Sequence, residues 1–472
     1  MQRELKSQIE RIPYNEVSFH PHSFGDPDGR LFWWKGELYR GIRSEWVHFY
    51  SQLLQDGVIQ KLIDRGILIE TEPSPLAIEG YEMVVHHRYI PFPAYAHEWC
   101  AAMLKDAALT IIELLIELAQ HGLTLKDTHP WNVLFDAYKP VYVDFTSIIP
   151  KKDDYKWSEN NSFYRFCLYP LILMSCGQER IARWLLWDYE GVRKSDVLML
   201  TGDHNLLASI PSVMNRLTSV LRQRSPDPYR ELLKKVLKPM QSKFYKQSHS
   251  RKFQLEFLEQ IRRRVESITL HSLKTEDSDG NSISYASTVK QKCIYRILSD
   301  LQPTSVLDLF GNTGQYSKPA ALLGSRVVSF NTDPRCSTQL YYDARDKKLP
   351  ILPLIMDFTR PTPYRGLSNE CFISAAGRFK CDMVLALAWA HNAIFKRRLN
   401  FDQIVEGLAQ FSKRWLVAEF VPREDPDICK LWSDSFSWYT LDNFISALRK
   451  WFNVVKIVPS YPEPRVLLLC EK

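Results

Sequence analysis

Beyond residue 300, short apolar segments alternate with stretches that have the spacing of amphipathic helices. Each of the first five segments ends at a polar residue, which is typical of buried parallel strands joined by helices. These five segments are 306–310, 326–330, 351–356, 382–388 and 414–418. Two further apolar segments, 454–459 and 465–470, flank a Pro-rich turn and predict a β-hairpin. The pattern predicts a doubly wound, Rossmann-like α/β sheet with a hairpin at one edge.

The first part of the chain has a different pattern, which predicts an α+β arrangement. Residues 31–34 and 38–42 are strand-like and flank Lys35-Gly36, so they predict a hairpin. Apolar residues at helical spacing follow up to Leu54, and 81–90 reads as another strand. The segment 99–120 is apolar almost all round, which predicts a buried helix.

Length and composition are those of a globular protein with two or three domains. The chain has 472 residues, of which 45% are hydrophobic and 24% charged. Composition shifts predict an α+β unit at 1–224, a basic helical linker at 225–284 and a sheet domain at 285–472. The nine cysteines are scattered without a Cys-x-x-Cys pair, which favours reduced thiols in the cytoplasm over a zinc or disulfide framework. No segment is long and apolar enough to predict a transmembrane helix.

Positive charge is concentrated in one segment. Between Arg222 and Arg264 there are thirteen Lys and Arg against four Asp and Glu, a local charge of +9 in a chain whose net charge is +7. A solvated helical connector explains this segment, and a surface for an anionic partner is the alternative. No recognisable nucleic-acid-binding motif accompanies it.

The segment 304–317 carries the most specific pattern of the chain. Its apolar strand contains Asp308 and leads into a turn that precedes a helix-like stretch. The turn residues are Gly311, Asn312, Thr313 and Gly314. In an open parallel sheet, a nucleotide-like ligand lies at the turn after the first strand. Glycines there let the backbone approach the ligand closely, and the helix N-terminus offers free N–H groups. About twenty residues further on, Asn331 and Asp333 follow the second strand, where a polar side chain can hold ribose hydroxyls.

These residues resemble the class I S-adenosylmethionine methyltransferases. Over the whole chain, three motifs also resemble a family of bacterial host-specific nodulation proteins: 125–132, 312–314 and 419–422. The methyltransferase turn is usually Gly-x-Gly-x-Gly, whereas here Phe310 and Asn312 stand at the first two glycine positions. Asn is the non-glycine residue that best tolerates a positive φ, so the turn can still form.

The resemblance implies S-adenosylmethionine as the cofactor. Asp308 and the N–H groups of the turn would lie near its amino acid moiety, Asn331 or Asp333 at the ribose, and Asp357 at the adenine amine. Tyr285, just ahead of the first strand, would be a lid residue. The methyl acceptor would be a small molecule or a glycan, such as a nodulation signal or its precursor.

Two residues could serve as the base that methyl transfer sometimes needs. His391 follows the fourth strand and titrates near neutral pH, and Glu419 ends the fifth strand. The structural alternatives are that His391 packs or caps a helix and that Glu419 orients a loop through Arg423.

A second motif lies in the first part of the chain. Asp127, Asn132 and Asp144 have the spacing of the catalytic loop and the metal-binding Asp of kinases and small-molecule phosphotransferases. By that resemblance Asp127 would be the base and the other two would hold Mg²⁺ with ATP. The chain has no Gly-rich phosphate loop, and the basic residues Lys35, Arg40 and Arg43 lack the expected strand context. A degenerate kinase-like domain is therefore favoured, with a phosphotransferase or a non-catalytic scaffold as alternatives.

Overall fold

The structure is a computed structural model of the chain and describes residues 10–23, 26–151, 162–203, 206, 251–270, 288–369 and 372–472. The predicted lid residue Tyr285 lies outside the described residues. So do both predicted domain boundaries, at 224/225 and 284/285, and the part of the basic segment from 222 to 250. Within the described residues, no helix has the length and apolar character needed to cross a membrane.

The N-terminal part contains a five-stranded antiparallel sheet of order β2-β3-β4-β7-β5 and a separate parallel pair, β1 with β6. The strands are β1 Glu10–Ile12, β2 Ser18–Phe19, β3 Gly29–Trp34, β4 Glu37–Ile42, β5 Thr71–Ser74, β6 Leu76–Ile78 and β7 Met83–His87. Lys35 and Gly36 both have positive φ, 50° and 85°, so they form the two-residue turn that the sequence predicts between β3 and β4. Two helices, α1 Ser44–Gln55 and α2 Val58–Asp64, follow β4.

A long helix, α3 Ala101–Gln120, forms the centre of the part that follows. It is buried on nearly every side, as its apolar sequence predicts. Around it lie two antiparallel strand pairs and several shorter helices. These elements are β8 Leu123–Leu125, β9 Val133–Asp136, β10 Lys139–Tyr142, β11 Ile148–Pro150, α4 Tyr169–Ser175, α5 Glu179–Leu186, α6 Lys194–Thr201 and α7 Arg251–Glu266.

The C-terminal sheet has seven strands in the order β14-β13-β12-β15-β16-β18-β17. The first five are parallel, and β18 pairs antiparallel with both β16 and β17, so the predicted parallel strands and terminal hairpin are all present. The strands are β12 Ser305–Leu309, β13 Arg326–Asn331, β14 Ile351–Ile355, β15 Cys381–Ala386, β16 Ser412–Phe420, β17 Val454–Pro459 and β18 Val466–Glu471. The helices are α8 Val289–Leu301, α9 Ser317–Leu322, α10 Pro334–Asp346, α11 Ala375–Arg378, α12 Ala390–Arg397, α13 Phe401–Phe411, α14 Pro426–Cys429 and α15 Leu441–Leu448.

The N-terminal and C-terminal parts share one continuous hydrophobic core. Polar contacts also join them. The Tyr341 hydroxyl of α10 donates to Asp106 of α3 at 2.7 Å. Arg378 of α11 forms a buried, bidentate ion pair with Glu98, with N–O distances of 2.6 and 2.8 Å. Both side chains of this pair are 1% exposed, so the contact lies in the interior of the molecule.

Candidate active site

The candidate cofactor site starts at the turn after β12, the central strand at which the strand order reverses. Phe310, Asn312 and Gly314 all have positive φ, 64°, 45° and 93°. The Asn312 conformation agrees with the expectation that Asn can replace glycine here. Phe310 takes a left-handed conformation that is uncommon for a bulky residue, which indicates that its surroundings impose it.

Gly311 and Gly314 are confined by their neighbours, with Thr313 between them in the turn. A Cβ on Gly311 would overlap the Ser329 hydroxyl, and one on Gly314 would lie 2.5 Å from Leu340 Cδ1. The Gly314 N–H donates to the carbonyl of Gly311 at 2.7 Å, which closes the turn. Close packing thus requires both glycines, and the positive φ of Gly314 favours glycine there as well.

Asp308 lies in β12 directly below this turn and is 1% exposed. Burial raises the pKa of its carboxyl to about 7, although the Ser317 hydroxyl donates to it at 2.6 Å. A carboxyl group buried this deeply without a direct cationic partner is costly, and perturbed groups of this kind are found at functional sites more often than elsewhere.

The two residues predicted at the ribose differ in their surroundings. Asn331 is buried at the end of β13, and its side-chain N–H donates to the carbonyl of Asn312 at 3.2 Å, so it reaches the turn. Asp333 caps α10 through the Arg335 N–H and forms an ion pair with the Arg335 side chain at 2.7 Å, which lowers the pKa of Asp333. The structure brings Asn331 to the turn and leaves Asp333 at the start of the next helix.

Asp357 follows β14, and its carboxylate already has several partners. It accepts hydrogen bonds from Thr359 at 2.7 Å and forms ion pairs with Arg397 at 2.6 Å and Arg360 at 3.2 Å. Burial alone would raise the pKa of Asp357, but these hydrogen bonds more than offset it and the pKa lies below its ordinary value. Because Arg397 is in the last turn of α12, that helix lies across the carboxyl edge of the sheet from β15 towards β14.

His391 lies in the first turn of α12 and is 5% exposed. Among the described residues its Nδ1 has no hydrogen-bond partner, while its Nε2 is 3.0 Å from the side-chain nitrogen of Asn392. Burial lowers the pKa of His391, and the charge of Arg465 lowers it further. The imidazole is therefore neutral at pH 7 and can accept a proton.

Glu419, the other candidate base, lies at the centre of a buried network. Its carboxylate accepts from Lys290 of α8, from the Ser460 hydroxyl and from the backbone N–H of Ala388, each at 2.6 Å. This network joins the ends of β15, β16 and β17 to the start of α8. Sequence reasoning missed Lys290 and Ser460, since neither belongs to a motif and they lie 129 and 41 positions from Glu419.

An aromatic wall at the same edge was also missed. Trp389 stacks on Phe310 at a centroid distance of 5.6 Å and packs edge-on against Phe358 at 4.8 Å. These residues follow β15, β12 and β14, so each comes from a different strand end. Strand-end aromatics have no spacing signal in a sequence, and only the strand order brings them together.

The structure also brings the kinase-like residues together. Asn132 donates to Asp144 at 3.4 Å and to the Tyr142 hydroxyl at 3.2 Å, and that hydroxyl donates to the Asp127 carbonyl at 2.9 Å. The sequence indicated no kinase-like strand context for Arg40, but the structure places it beside this motif. Arg40 lies in β4, is 3% exposed, and forms an ion pair with Asp144 at 3.2 Å.

The same guanidinium pairs with Asp26 at 2.8 Å, so Arg40 neutralises two carboxylates. Within the described ranges, no group of three or more His, Cys, Asp or Glu side chains is arranged to hold a metal ion.

Fold and site together define a mixed α/β protein whose mostly parallel sheet gathers polar and aromatic side chains at its carboxyl edge. No known family model matches the chain. The predicted resemblance to nodulation proteins is confirmed: the chain is 26% identical to the nodulation protein NoeA of Rhizobium meliloti (strain 1021) over 456 residues, 92% of both chains.

Two solved structures show distant likeness. One is the bifunctional kinase-methyltransferase WbdD, with 14% identity, a TM-score of 0.28 and coverage of 38% of this chain and 37% of that one. The other is the magnesium protoporphyrin IX methyltransferase ChlM of Synechocystis PCC 6803 with bound SAM, with 12% identity, a TM-score of 0.28 and coverage of 38% of this chain and 76% of that one. Likenesses at this level are too distant to assign a function.

Proposed function

We propose that this chain is an S-adenosylmethionine-dependent methyltransferase and that its C-terminal sheet binds the cofactor. The observation that carries the proposal is the turn at Gly311–Gly314 above the buried Asp308, at the reversal point of a doubly wound sheet. In such sheets, ligands bind outside the carboxyl ends of the strands at this point.

The residues present fit this cofactor. A buried carboxyl at Asp308 is a partner for a positively charged amino group, which would favour its ionised form. The Asn331 side-chain N–H donates to the turn, and no described residue donates to its carbonyl oxygen, which can therefore accept from ribose hydroxyls. The Asp357 carboxylate is already occupied by Thr359, Arg397 and Arg360, so it would accept from the adenine amine in place of the exposed Arg360, its ion pair at 3.2 Å.

When bound, S-adenosylmethionine supplies an electrophilic methyl group for an in-line displacement. The protein's part is to align the acceptor, exclude water and remove a proton. We assign proton removal to the neutral, buried imidazole of His391. Because the Asn392 side-chain N–H faces Nε2, Nε2 carries the lone pair that would take the proton, and Nδ1 carries the hydrogen. Trp389 and Phe310 shield the site from water, and Glu419 acts as a positioning residue because Lys290 and Ser460 already hold its carboxylate.

We further propose, from the similarity to NoeA, that the reaction belongs to the production or modification of a host-specific nodulation signal. The acceptor would then be a small molecule or a glycan.

The test is calorimetric titration of the full-length protein with S-adenosylmethionine. We expect saturable 1:1 binding, weakened about tenfold to a hundredfold in Asp308→Ala and in Asp357→Ala by loss of charge-assisted contacts. Asp346→Asn is the matched control, because this carboxylate is 70% exposed at the end of α10. Absence of binding in folded wild-type protein would refute the proposal and favour a non-catalytic scaffold.

A second activity, phosphotransfer, is favoured by one observation. Asp127, Asn132 and Asp144 converge, and the buried Arg40 supplies the basic group that a phosphate clamp requires. Titration with ATP in the presence of Mg²⁺ should show binding that Asp144→Asn and Arg40→Gln abolish. Asp64→Asn, on the exposed side of α2, is the control. Wild-type protein that binds no nucleotide would eliminate this second function.

A further inference from the structure

Two arginines with aromatic support lie beside the proposed methyl-transfer site. Arg398 directly follows α12, whose last turn reaches the carboxyl edge of the sheet through the ion pair of Arg397 with Asp357 at 2.6 Å. Arg423 follows β16, three residues beyond its end at Phe420. Both side chains therefore belong to the same edge of the sheet as His391.

A single aromatic cluster supports both guanidinium groups. Arg423 lies over the Trp432 ring at 4.5 Å, and Arg398 lies over the Phe436 ring at 5.3 Å. Phe395 of α12 packs between these rings, with centroid distances of 6.3 Å to Trp432 and 4.6 Å to Phe436. A guanidinium stacked on a ring keeps its N–H edge available for a partner in the plane of the group.

Neither guanidinium uses that edge on a carboxylate. Among the residues that the structure describes, Arg398 and Arg423 form no ion pair and both are exposed. Arg414 offers a contrast, because it stacks on Trp415 at 4.3 Å but is neutralised by Glu471 at 3.0 Å. Arg398 and Arg423 therefore share their stacking with Arg414. They differ from it because no carboxylate among the described residues neutralises them.

The cluster also leads to the proposed base. His391 and Phe395 are four residues apart on α12 and so lie on the same helix face. On this side of the sheet two buried ring nitrogens, His391 Nδ1 and Trp432 Nε1, have no hydrogen-bond partner within the part of the chain that the structure describes. Buried polar atoms are normally paired, so unpaired ones beside a candidate site are consistent with a ligand that is absent.

We propose that Arg398 and Arg423 form an anion-binding subsite for the methyl acceptor, so that the acceptor carries a phosphate, sulfate or carboxylate group. That the bound anion is a methyl acceptor rests on the proposed function. That the two arginines bind an anion does not depend on it. Planar guanidinium groups bind such oxyanions through paired N–H donors, and two of them fix the orientation of the bound group. Bound in this way, the acceptor would lie against the face of α12 that presents His391.

The test uses inorganic pyrophosphate as the probe in calorimetric titrations of the full-length protein. We expect saturable binding to the wild type and binding weakened about tenfold or more in Arg398→Gln and in Arg423→Gln, because each loses a charge-assisted pair of hydrogen bonds. Arg414→Gln is the matched control and should bind like the wild type. Competition by glucosamine 6-sulfate and by glucuronate then shows whether sulfate or carboxylate is preferred to phosphate.

The proposal is overturned if the wild type shows no saturable binding, or if both variants bind pyrophosphate as the wild type does. Titrating the same proteins with S-adenosylmethionine tests the anion site and the proposed methyltransferase function separately. Loss of pyrophosphate binding in the variants with intact cofactor binding supports both proposals. Loss of pyrophosphate binding in proteins that never bind the cofactor supports the anion site and refutes the methyltransferase.

Discussion

Asp308 is the residue at which the structure makes the most quantitative prediction. Its carboxyl is buried, and burial raises its pKa from an ordinary value of 3.8 to about 7. Below 3.8 the group is protonated in both the folded and the unfolded chain. Between 3.8 and 7 the unfolded chain loses the proton and the folded protein keeps it, so the free energy of unfolding falls as pH rises. A shift of this size corresponds to a loss of about 4 kcal/mol once both states are ionised.

The substitution Asp308→Asn removes this loss. Asn has the same shape, its side-chain oxygen can still accept from Ser317, and it does not ionise. We expect the free energy of unfolding of the ligand-free variant, relative to the wild type, to rise between pH 4.5 and pH 8 by about 3 kcal/mol, since about 1 kcal/mol of the loss already occurs below pH 4.5. Urea unfolding followed by tryptophan fluorescence at both pH values measures this difference.

The same variant should lose affinity for S-adenosylmethionine, because the charge that would pair with the amino group is gone. More stable and less able to bind is an outcome that general damage to the fold cannot produce. If the stability difference is the same at both pH values, Asp308 does not titrate in this range and the reasoning about its burial is refuted.

Three further predictions test other parts of the molecule. His391→Gln should lower the methyl-transfer rate about 10²-fold or more. The wild-type rate should rise with pH through a midpoint below 6.5 and then level off, since burial lowers the pKa of His391. If the variant keeps the wild-type pH profile, His391 is not the base. Glu98→Gln should destabilise the protein by about 3–5 kcal/mol in urea unfolding, because it leaves the Arg378 charge buried without its partner, and Arg378→Met added to it should restore part of the loss; strict additivity would contradict this explanation. Gly314→Ala should abolish cofactor binding, whereas Gly324→Ala, with similar φ but nothing within 4 Å of the added Cβ, should cost only about 1 kcal/mol of stability; equal effects of the two would show that packing around Gly314 is unimportant.

The contacts between the N-terminal and C-terminal parts affect the proposed cofactor site. The connection between β14 and β15 starts at Asp357, a proposed cofactor residue, and contains Arg378, which is clamped by Glu98. Arg365 in the same connection lies over the rings of Trp187 and Tyr189 at 4.9 and 4.7 Å. The N-terminal part thus holds one wall of the proposed cofactor site, so removing it should impair cofactor binding even if its own motif is inactive.

Local pattern was enough to predict most elements. Apolar periodicity and turn residues such as Lys35-Gly36 predicted both strands of the β3–β4 hairpin, the buried helix α3 and the seven strands of the C-terminal sheet. The strands reach within a few residues of their predicted bounds because a buried strand must be apolar along its length and must stop where polar residues begin. The position of the turn at Gly311–Gly314 followed from the same rule.

Several features could not be read from the chain. Arg40 seemed unconnected to Asp144, yet β4 places it there, 104 positions away in the sequence. The sequence predicted Glu419 as a candidate base or as a residue that orients a loop through Arg423, and in the structure it is the centre of a network with Lys290 and Ser460. Contacts between distant positions have no local signature, because each partner is chosen by where the fold places it rather than by its sequence neighbours.

What the sequence determined by itself is the set of strands, the turn after β12 and the polar residues at strand ends, since these depend on burial patterns and backbone conformations that neighbouring residues dictate. Only the tertiary structure decided which of those polar residues are free to act. It buries Asp308 and raises its pKa, it pairs Asp357 with Arg397, and among the described residues it leaves His391 Nδ1 without a partner. Desolvation and pairing depend on everything that packs around a group, and that information is spread over the whole chain.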